Sequence, residues 1–424
     1  MDARAPATAL DTGPSGASAA VAEQLLNLVL FVTVLLSCIA FIEPSPHDAM
    51  MFVLLLACIA ARVRFDRKLT PLLLLTIIWL VGGGLSLIQV GDQEKTVQYF
   101  GTSVYLGVAG IMFACLFSDG NPARLTTLKR AYIVAALVAA AAGYIGYFHL
   151  LPGSNVFLDV GNVQAEARVS STFKDPNVFG PFLIYPLLLF MIAILARGFT
   201  VLRFAAAAFL LGGVFLSFSR GAWLHFAVSA AVTVVLLYSV MPNPQMRRRV
   251  LLISIVVVAL SALLLIALLS IPTIHAMLLE RAKALEPYDV GPGGRFTLQQ
   301  LAINSILDHM NGLGPFEFAR INGTQQHEVY MQGFLVYGWL GGAAYLTIVV
   351  LTLLVGLRTV RMATPWQFYL IAAYAAFVGE ACEGLVIDSD HWRHFFLLLG
   401  LVWGLSVANL NYLRAQIYAG GRLQ

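Results

Sequence analysis

The sequence predicts an all-α, polytopic membrane protein, and three observations carry the prediction. Apolar residues make up 59% of the 424-residue chain and charged residues only 11%, against about 25% charged in a soluble domain. Apolar runs of the roughly 17–25 residues needed to cross a bilayer recur along the whole chain. They lack the short alternation of transmembrane barrel strands. Lys and Arg crowd into alternate connecting loops, the asymmetry that orients helical membrane proteins. The net charge of +4 is spread over those loops and points to no nucleic-acid partner. All four cysteines (Cys38, Cys58, Cys115 and Cys382) lie in apolar runs. There they read as small hydrophobes, not as a disulfide framework or a metal cluster.

Residues 1 to about 22, rich in Ala, Thr, Ser, Gly and Pro, read as a disordered tail. A basic start and a small-residue cleavage site are both missing, so the first span is expected to stay as an anchor. Residues 23–424 are expected to form a single transmembrane domain. Candidate spans lie near 24–42, 49–64, 70–90, 97–117, 128–149, 175–196, 201–217, 221–240, 250–271, 329–356, 366–387 and 392–411, about twelve in all. Basic loops hold Arg62, Arg64, Arg67 and Lys68, then Arg124, Lys129 and Arg130, then Arg197 and Arg203, then Arg247–Arg249, then Arg358 and Arg361. The loops between them are acidic or mixed. Both termini are therefore expected in the cytoplasm, and the long 272–328 segment on the opposite, periplasmic face. No internal repeat is visible, which weighs against an inverted-repeat transporter. The alanine-rich stretches 131–142 and 205–208 suit close helix packing or plain membrane filler.

The longest polar interval, Gly291 to Gly342, opens on a Pro- and Gly-rich break that no helix crosses. From Arg295 to about Met310, Leu298, Leu301, Ala302 and Ile306 fall near one face, and Gln299, Gln300, Asn304 and Asp308 largely on the other. A short helix lying on the bundle or the leaflet is expected. A Gly-Leu-Gly-Pro turn follows, and His327 stands at the lip of the next apolar run.

Ionisable groups at the ends of spans are costly and are functional candidates by default. By the topology above, Lys174 and Asp175 in STFKDPNVFG, Arg220 in SFSRGAW, Arg295, His327, and Glu380 with Glu383 all converge on the periplasmic side. Each has a structural alternative. Asp175–Pro176 is a good helix start, and Arg220 can snorkel to headgroups. Asp388, Asp390, His391 and His394 are residue types a metal accepts, but their spacing fits no strong metal motif and interfacial solvation explains them. Guanidinium groups bind phosphate in a bidentate way at any working pH. A histidine can take a proton from a hydroxyl. Together these are the parts a lipid-diphosphate sugar donor requires: cations for charge building on the departing diphosphate, and a base for the acceptor hydroxyl.

Four features resemble the bacterial O-antigen ligase and O-antigen polymerase superfamily: STFKDPNVFGPFL; SFSRGAWL; an arginine heading the outer-loop helix before GLGPFEF; and a histidine entering YMQGFLVYGWLGG. The likeness covers about residues 165–350, and elsewhere extends only to topology. It implies a glycosyltransferase in the bacterial inner membrane that takes a glycan from undecaprenyl diphosphate at the periplasmic face. Ligases pass the glycan to a lipid A–core sugar; polymerases join repeat units. The resemblance assigns catalytic roles to Arg220, Arg295 and His327, with inversion at the anomeric carbon and no metal or other cofactor. Where the family has asparagine after the histidine, this chain has Glu328, a second candidate base. Lys174, Asp175, Asn177 and Arg393 are the remaining expected contacts to the diphosphate or glycan. A lipid-linked oligosaccharide flippase is the alternative from another class; it would need polar groups near the midplane, whereas the charges here gather on one side.

Overall fold

The computed structural model describes residues 14–90, 93–159, 168–269 and 294–420. Each expected span is helical over its described residues, 175–196 as two consecutive helices. In chain order they are α1 (Pro14–Leu36), α2 (Pro46–Ala60), α3 (Thr70–Ser86), α4 (Gln93–Phe117), α5 (Pro122–Tyr147), α6 (Pro176–Phe182), α7 (Ile184–Ile192), α8 (Val201–Leu216), α9 (Arg220–Val240) and α10 (Pro244–Leu269). Then come α11 (Arg295–Asp308), α12 (Glu317–Asn322), α13 (Val329–Thr359), α14 (Gln367–Glu383) and α15 (Arg393–Gly420). A two-residue ribbon, β1 (Leu158–Asp159) with β2 (Arg168–Val169), precedes α6. Among the described residues, eight helical stretches are long and apolar enough to cross a membrane, and α2 and α8 are shorter apolar helices. The expected 175–196 span is broken at Leu183 into α6 and α7, with Pro181 and Pro186 on either side of the break. The start of α1 falls inside the stretch read as a disordered tail: after Pro14 come Ala17, Ala19, Ala20 and Ala22, and alanine is the best helix former. The Gly- and Pro-rich break at 291–293 lies outside the described residues.

Helix starts follow their sequence. Pro stands in the first turn of α2, α3, α5 and α6, where its missing N–H costs nothing. Asp175 caps α6 by accepting from the Asn177 amide at 2.8 Å.

Between spans, small residues set the close contacts, because lipid offers no hydrophobic drive for helices to associate. A Cβ on Gly82 of α3 would fall 2.5 Å from the Gly341 amide nitrogen of α13. Ala135, Ala136, Ala139 and Ala140 of α5 are fully buried, so this alanine-rich stretch is packing. The second stretch, 205–208, leaves only Ala207 buried and is lipid-facing filler.

The 294–328 segment is wedged into α13. Gly338 is non-helical (φ 67°, ψ −176°) and breaks the helix ladder there. The Leu335 carbonyl, freed by the break, accepts from the amides of Leu313 and Gly314 at 2.7 and 3.1 Å. The Trp339 amide donates to the Met310 carbonyl at 2.9 Å. The Gly-Leu-Gly-Pro turn thus satisfies the backbone groups that a broken helix would leave exposed inside a membrane protein. Leu298 and Ala302 of α11 join Phe318 and Leu335 in a separate apolar cluster, and Trp339 Nε1 donates to the Ile306 carbonyl at 2.8 Å. The C-terminal part of α11 is therefore fixed at the α13 kink, with Arg295 at its opposite end.

Candidate functional site

One end of the bundle, where α6, α9, α13 and α15 begin and α14 ends, gathers most of the predicted residues. At α9, Ser219 caps the helix, its Oγ accepting from the Ala222 amide at 3.3 Å. Arg220, half-buried, is the first helical residue. The α6 and α9 starts meet closely, since a Cβ on Gly180 would lie 2.6 Å from the Ala222 Cβ. Arg168 ties the same two motifs together: its Nε donates to the Ser217 carbonyl at 3.3 Å and its Nη2 to Asn177 Oδ1 at 2.8 Å. Sequence reading passed over Arg168, which carried no motif of its own.

At α13, His327 holds a positive φ of 56° and is exposed. Its Nδ1 lies 3.6 Å from Asp388 Oδ2 in the loop between α14 and α15. Burial pushes the Asp388 carboxyl above the ordinary range, and His327 pulls it partly back. Glu328 is buried and caps α13, its two oxygens accepting from the amides of Tyr330 at 3.1 Å and Met331 at 2.6 Å. The start of α13 is docked on the end of α14, with the Val329 amide on the Gly384 carbonyl at 2.9 Å and the Tyr330 hydroxyl on the Ala381 carbonyl at 2.5 Å.

The α14–α15 loop is threaded through this end. Asp390 is buried and accepts from the Tyr99 hydroxyl at 2.6 Å. His391 Nε2 lies 2.9 Å from Ser103 Oγ, and burial holds this imidazole below the usual histidine range. Both residues are fixed by protein partners, where sequence reading expected interfacial solvation. Arg393 makes a bidentate pair with Asp48, both contacts at 2.8 Å. Lys174 pairs with Glu43 at 2.7 Å, each about half exposed.

Lys174 and Arg393 line one cavity of about 200 Å³, between the α1–α2 loop and the starts of α6 and α15. Arg220 and His327 do not line it. The predicted residues thus fall into two neighbouring groups, one around the α14 end and one around this cavity. Arg295 belongs to α11, and its side chain lies outside the described residues. Among the described residues, no three His, Cys, Asp or Glu side chains come together as a metal site.

A polytopic, all-α membrane protein with arginines, a histidine–aspartate pair and buried carboxylates at one end of its bundle is the class these observations define. Residues 205–346 match the family model described as O-antigen ligase. The match supports the O-antigen ligase and polymerase superfamily that the motifs resemble, and it contains Arg220, Arg295, His327 and Glu328. No curated protein matches the chain.

Proposed function

We propose that this protein is a membrane glycosyltransferase of the O-antigen ligase type. It would move a glycan from undecaprenyl diphosphate to a sugar hydroxyl of lipid A–core. The reading places it in the bacterial inner membrane, both termini cytoplasmic, with the site on the periplasmic side. What carries it is the family match over the stretch holding Arg220, Arg295 and His327, combined with the His327–Asp388 approach. Arg220 and Arg295 hold the diphosphate and offset the charge it gains as the anomeric C–O bond breaks. The acceptor hydroxyl loses its proton to His327 and attacks from the opposite face, inverting the configuration. Asp388 orients the imidazole through Nδ1, which leaves Nε2 as the base. Glu328, both oxygens engaged by backbone amides, caps the helix that carries His327. Arginine electrostatics in place of a divalent ion make the reaction metal-independent.

The test is the glycolipid profile of a deletion strain, complemented in turn with wild type and Arg295→Ala. Undecorated core, restored only by wild type, is the expected result. Core capped by a single repeat unit would assign the polymerase role instead. An unchanged profile would sink the transferase reading.

A further inference from the structure

The cavity of about 200 Å³ is lined by none of the residues that the transfer chemistry uses. Its cations are already matched. Lys174 Nζ lies 2.7 Å from Glu43 Oε2, and the Arg393 guanidinium grips both oxygens of Asp48 at 2.8 Å. Burial holds His391 below the usual histidine range, so it adds no charge at neutral pH. A diphosphate needs cations in excess, and these pairs leave Lys174 and Arg393 balanced. The side chains of Lys174 and Glu43 are half exposed, which sets the mouth of the cavity in water.

One wall is a run of rings. Tyr132 and Phe182 have centroids 4.9 Å apart, Phe182 and His394 6.2 Å, and His394 and Trp392 5.4 Å. All four line the cavity. Two of them bring polar atoms that no protein group satisfies: the Tyr132 hydroxyl and His394 Nε2 are buried without a hydrogen-bond partner. Glu380 Oε1 stands 3.3 Å from His394 Nε2, yet neither atom makes a hydrogen bond. A buried polar atom left unpaired costs stability, and in a cavity wall it is open to a hydroxyl from outside the protein.

We propose that this cavity is a subsite for one uncharged sugar ring, next in the glycan to the ring that reacts. The proposal rests on the transferase reading above. A pyranose has an apolar C–H face and a rim of hydroxyls, the pairing that a wall of rings with unpaired polar atoms complements. Trp392 takes the face, and the Tyr132 hydroxyl and His394 Nε2 take the rim. The volume lies below the roughly 300–1,000 Å³ of pockets for drug-sized ligands, so it suits one ring and not a chain. Its place fits as well. His391 lines the cavity three residues after Asp388, so their Cα atoms are no more than about 11 Å apart. A ring in the cavity is thus a neighbour of the His327–Asp388 pair, and the diphosphate is left to Arg220 and Arg295.

The experiment is saturation-transfer NMR on the full chain in lipid nanodiscs, with the methyl glycosides of glucose, galactose and N-acetylglucosamine as probes. At least one glycoside should take up saturation at its ring protons above the level of empty nanodiscs. Trp392→Ala should abolish the transfer, and Trp392→Phe, which keeps an aromatic face, should retain part of it. Tyr132→Phe should weaken binding by up to about tenfold, the scale of one hydrogen bond. The same variant should melt no lower than wild type, because the hydroxyl it deletes has no protein partner. No glycoside above the empty-disc level, transfer indifferent to both Trp392→Ala and Tyr132→Phe, or a lower melting point for Tyr132→Phe overturns the subsite. So does displacement of the glycoside by inorganic pyrophosphate that Lys174→Met abolishes, which would make the cavity an anion site. Binding is read here without turnover, so the two readings fail separately. Glycoside binding alongside an unchanged glycolipid profile in the deletion strain sinks only the transferase, and a lost profile without glycoside binding sinks only the subsite.

Discussion

His327 Nδ1 stands 3.6 Å from Asp388 Oδ2, joining the start of α13 to the loop that leaves α14. This distance is longer than a formed hydrogen bond, as is common for catalytic contacts before substrate binds. Asp388→Asn should lower the transfer rate while leaving donor binding near wild type. The pH profile gives the sharper check. In the proposed mechanism the anionic form orients the histidine, and burial sets the carboxyl above its ordinary range, so wild-type activity should fall on acidification at a pH above the usual carboxylate value. Asp388→Asn should show a displaced limb, since protonation of the base itself still halts transfer. An acid limb surviving unchanged in Asp388→Asn would remove Asp388 from the mechanism.

The same carboxyl has a stability consequence of opposite sense. A folded-state value above the unfolded one means the native protein binds the proton more readily. Asp388 therefore destabilises as pH rises above about 4, where the unfolded chain ionises. The penalty is complete above the folded value. Asp388→Asn should gain thermal stability relative to wild type at neutral pH and lose that advantage in acid. A difference that does not vary with pH would contradict the burial argument.

Much of this architecture was legible because a bilayer imposes its thickness on the sequence. The spans, the helix opening at Arg295 and the Asp175–Pro176 start all follow from local patterns. The site partners did not. Asp388 meets His327 only because α13 starts against the end of α14, and Arg168 gains its role only by bridging Asn177 and Ser217. Nor does a sequence reveal that the Gly-Leu-Gly-Pro turn fills a break at Gly338. A helix interruption satisfied by a distant loop leaves no periodic signal.

Arginine geometry at the head of α9 is testable by a charge-conserving change. Lysine keeps the charge but loses the planar fork that grips phosphate. Arg220→Lys and Arg295→Lys should each lower transfer by roughly 10²-fold or more, the scale for removing one positioned donor to a developing anion. Addition of a chelator to wild type should change nothing. Activity lost to chelation and restored by a divalent ion would overturn the arginine-only account.

Glu328 separates a structural from a catalytic carboxylate. Its oxygens accept two backbone amides at the α13 start, so Glu328→Ala should cost about 0.5–2 kcal/mol of stability, as for the loss of a helix cap. Glu328→Asp and Glu328→Asn, which can still accept at a cap, should recover most of that stability, and Glu328→Asn should also retain transfer activity. Stability and activity measured on the three variants decide the role. A stable Glu328→Asn protein without activity would make this carboxylate the base and His327 its neighbour.

Gly338 offers the last test, on the wedge that carries His327. Its φ is 67°, and a Cβ there would stand 2.7 Å from the Asn311 carbonyl carbon, so no side chain fits. Gly338→Ala should cost about 1–3 kcal/mol, the scale of strain for a residue forced into such a conformation. The loss should fall on the Leu313–Leu335 and Met310–Trp339 contacts, so hydrogen exchange should rise first at the amides of Leu313, Gly314 and Trp339. Gly333→Ala supplies the control: it lies in the same helix, and a Cβ there meets its nearest neighbours at 3.7 Å. Equal effects from the two substitutions would mean that the kink at Gly338 is not what anchors the 294–328 segment.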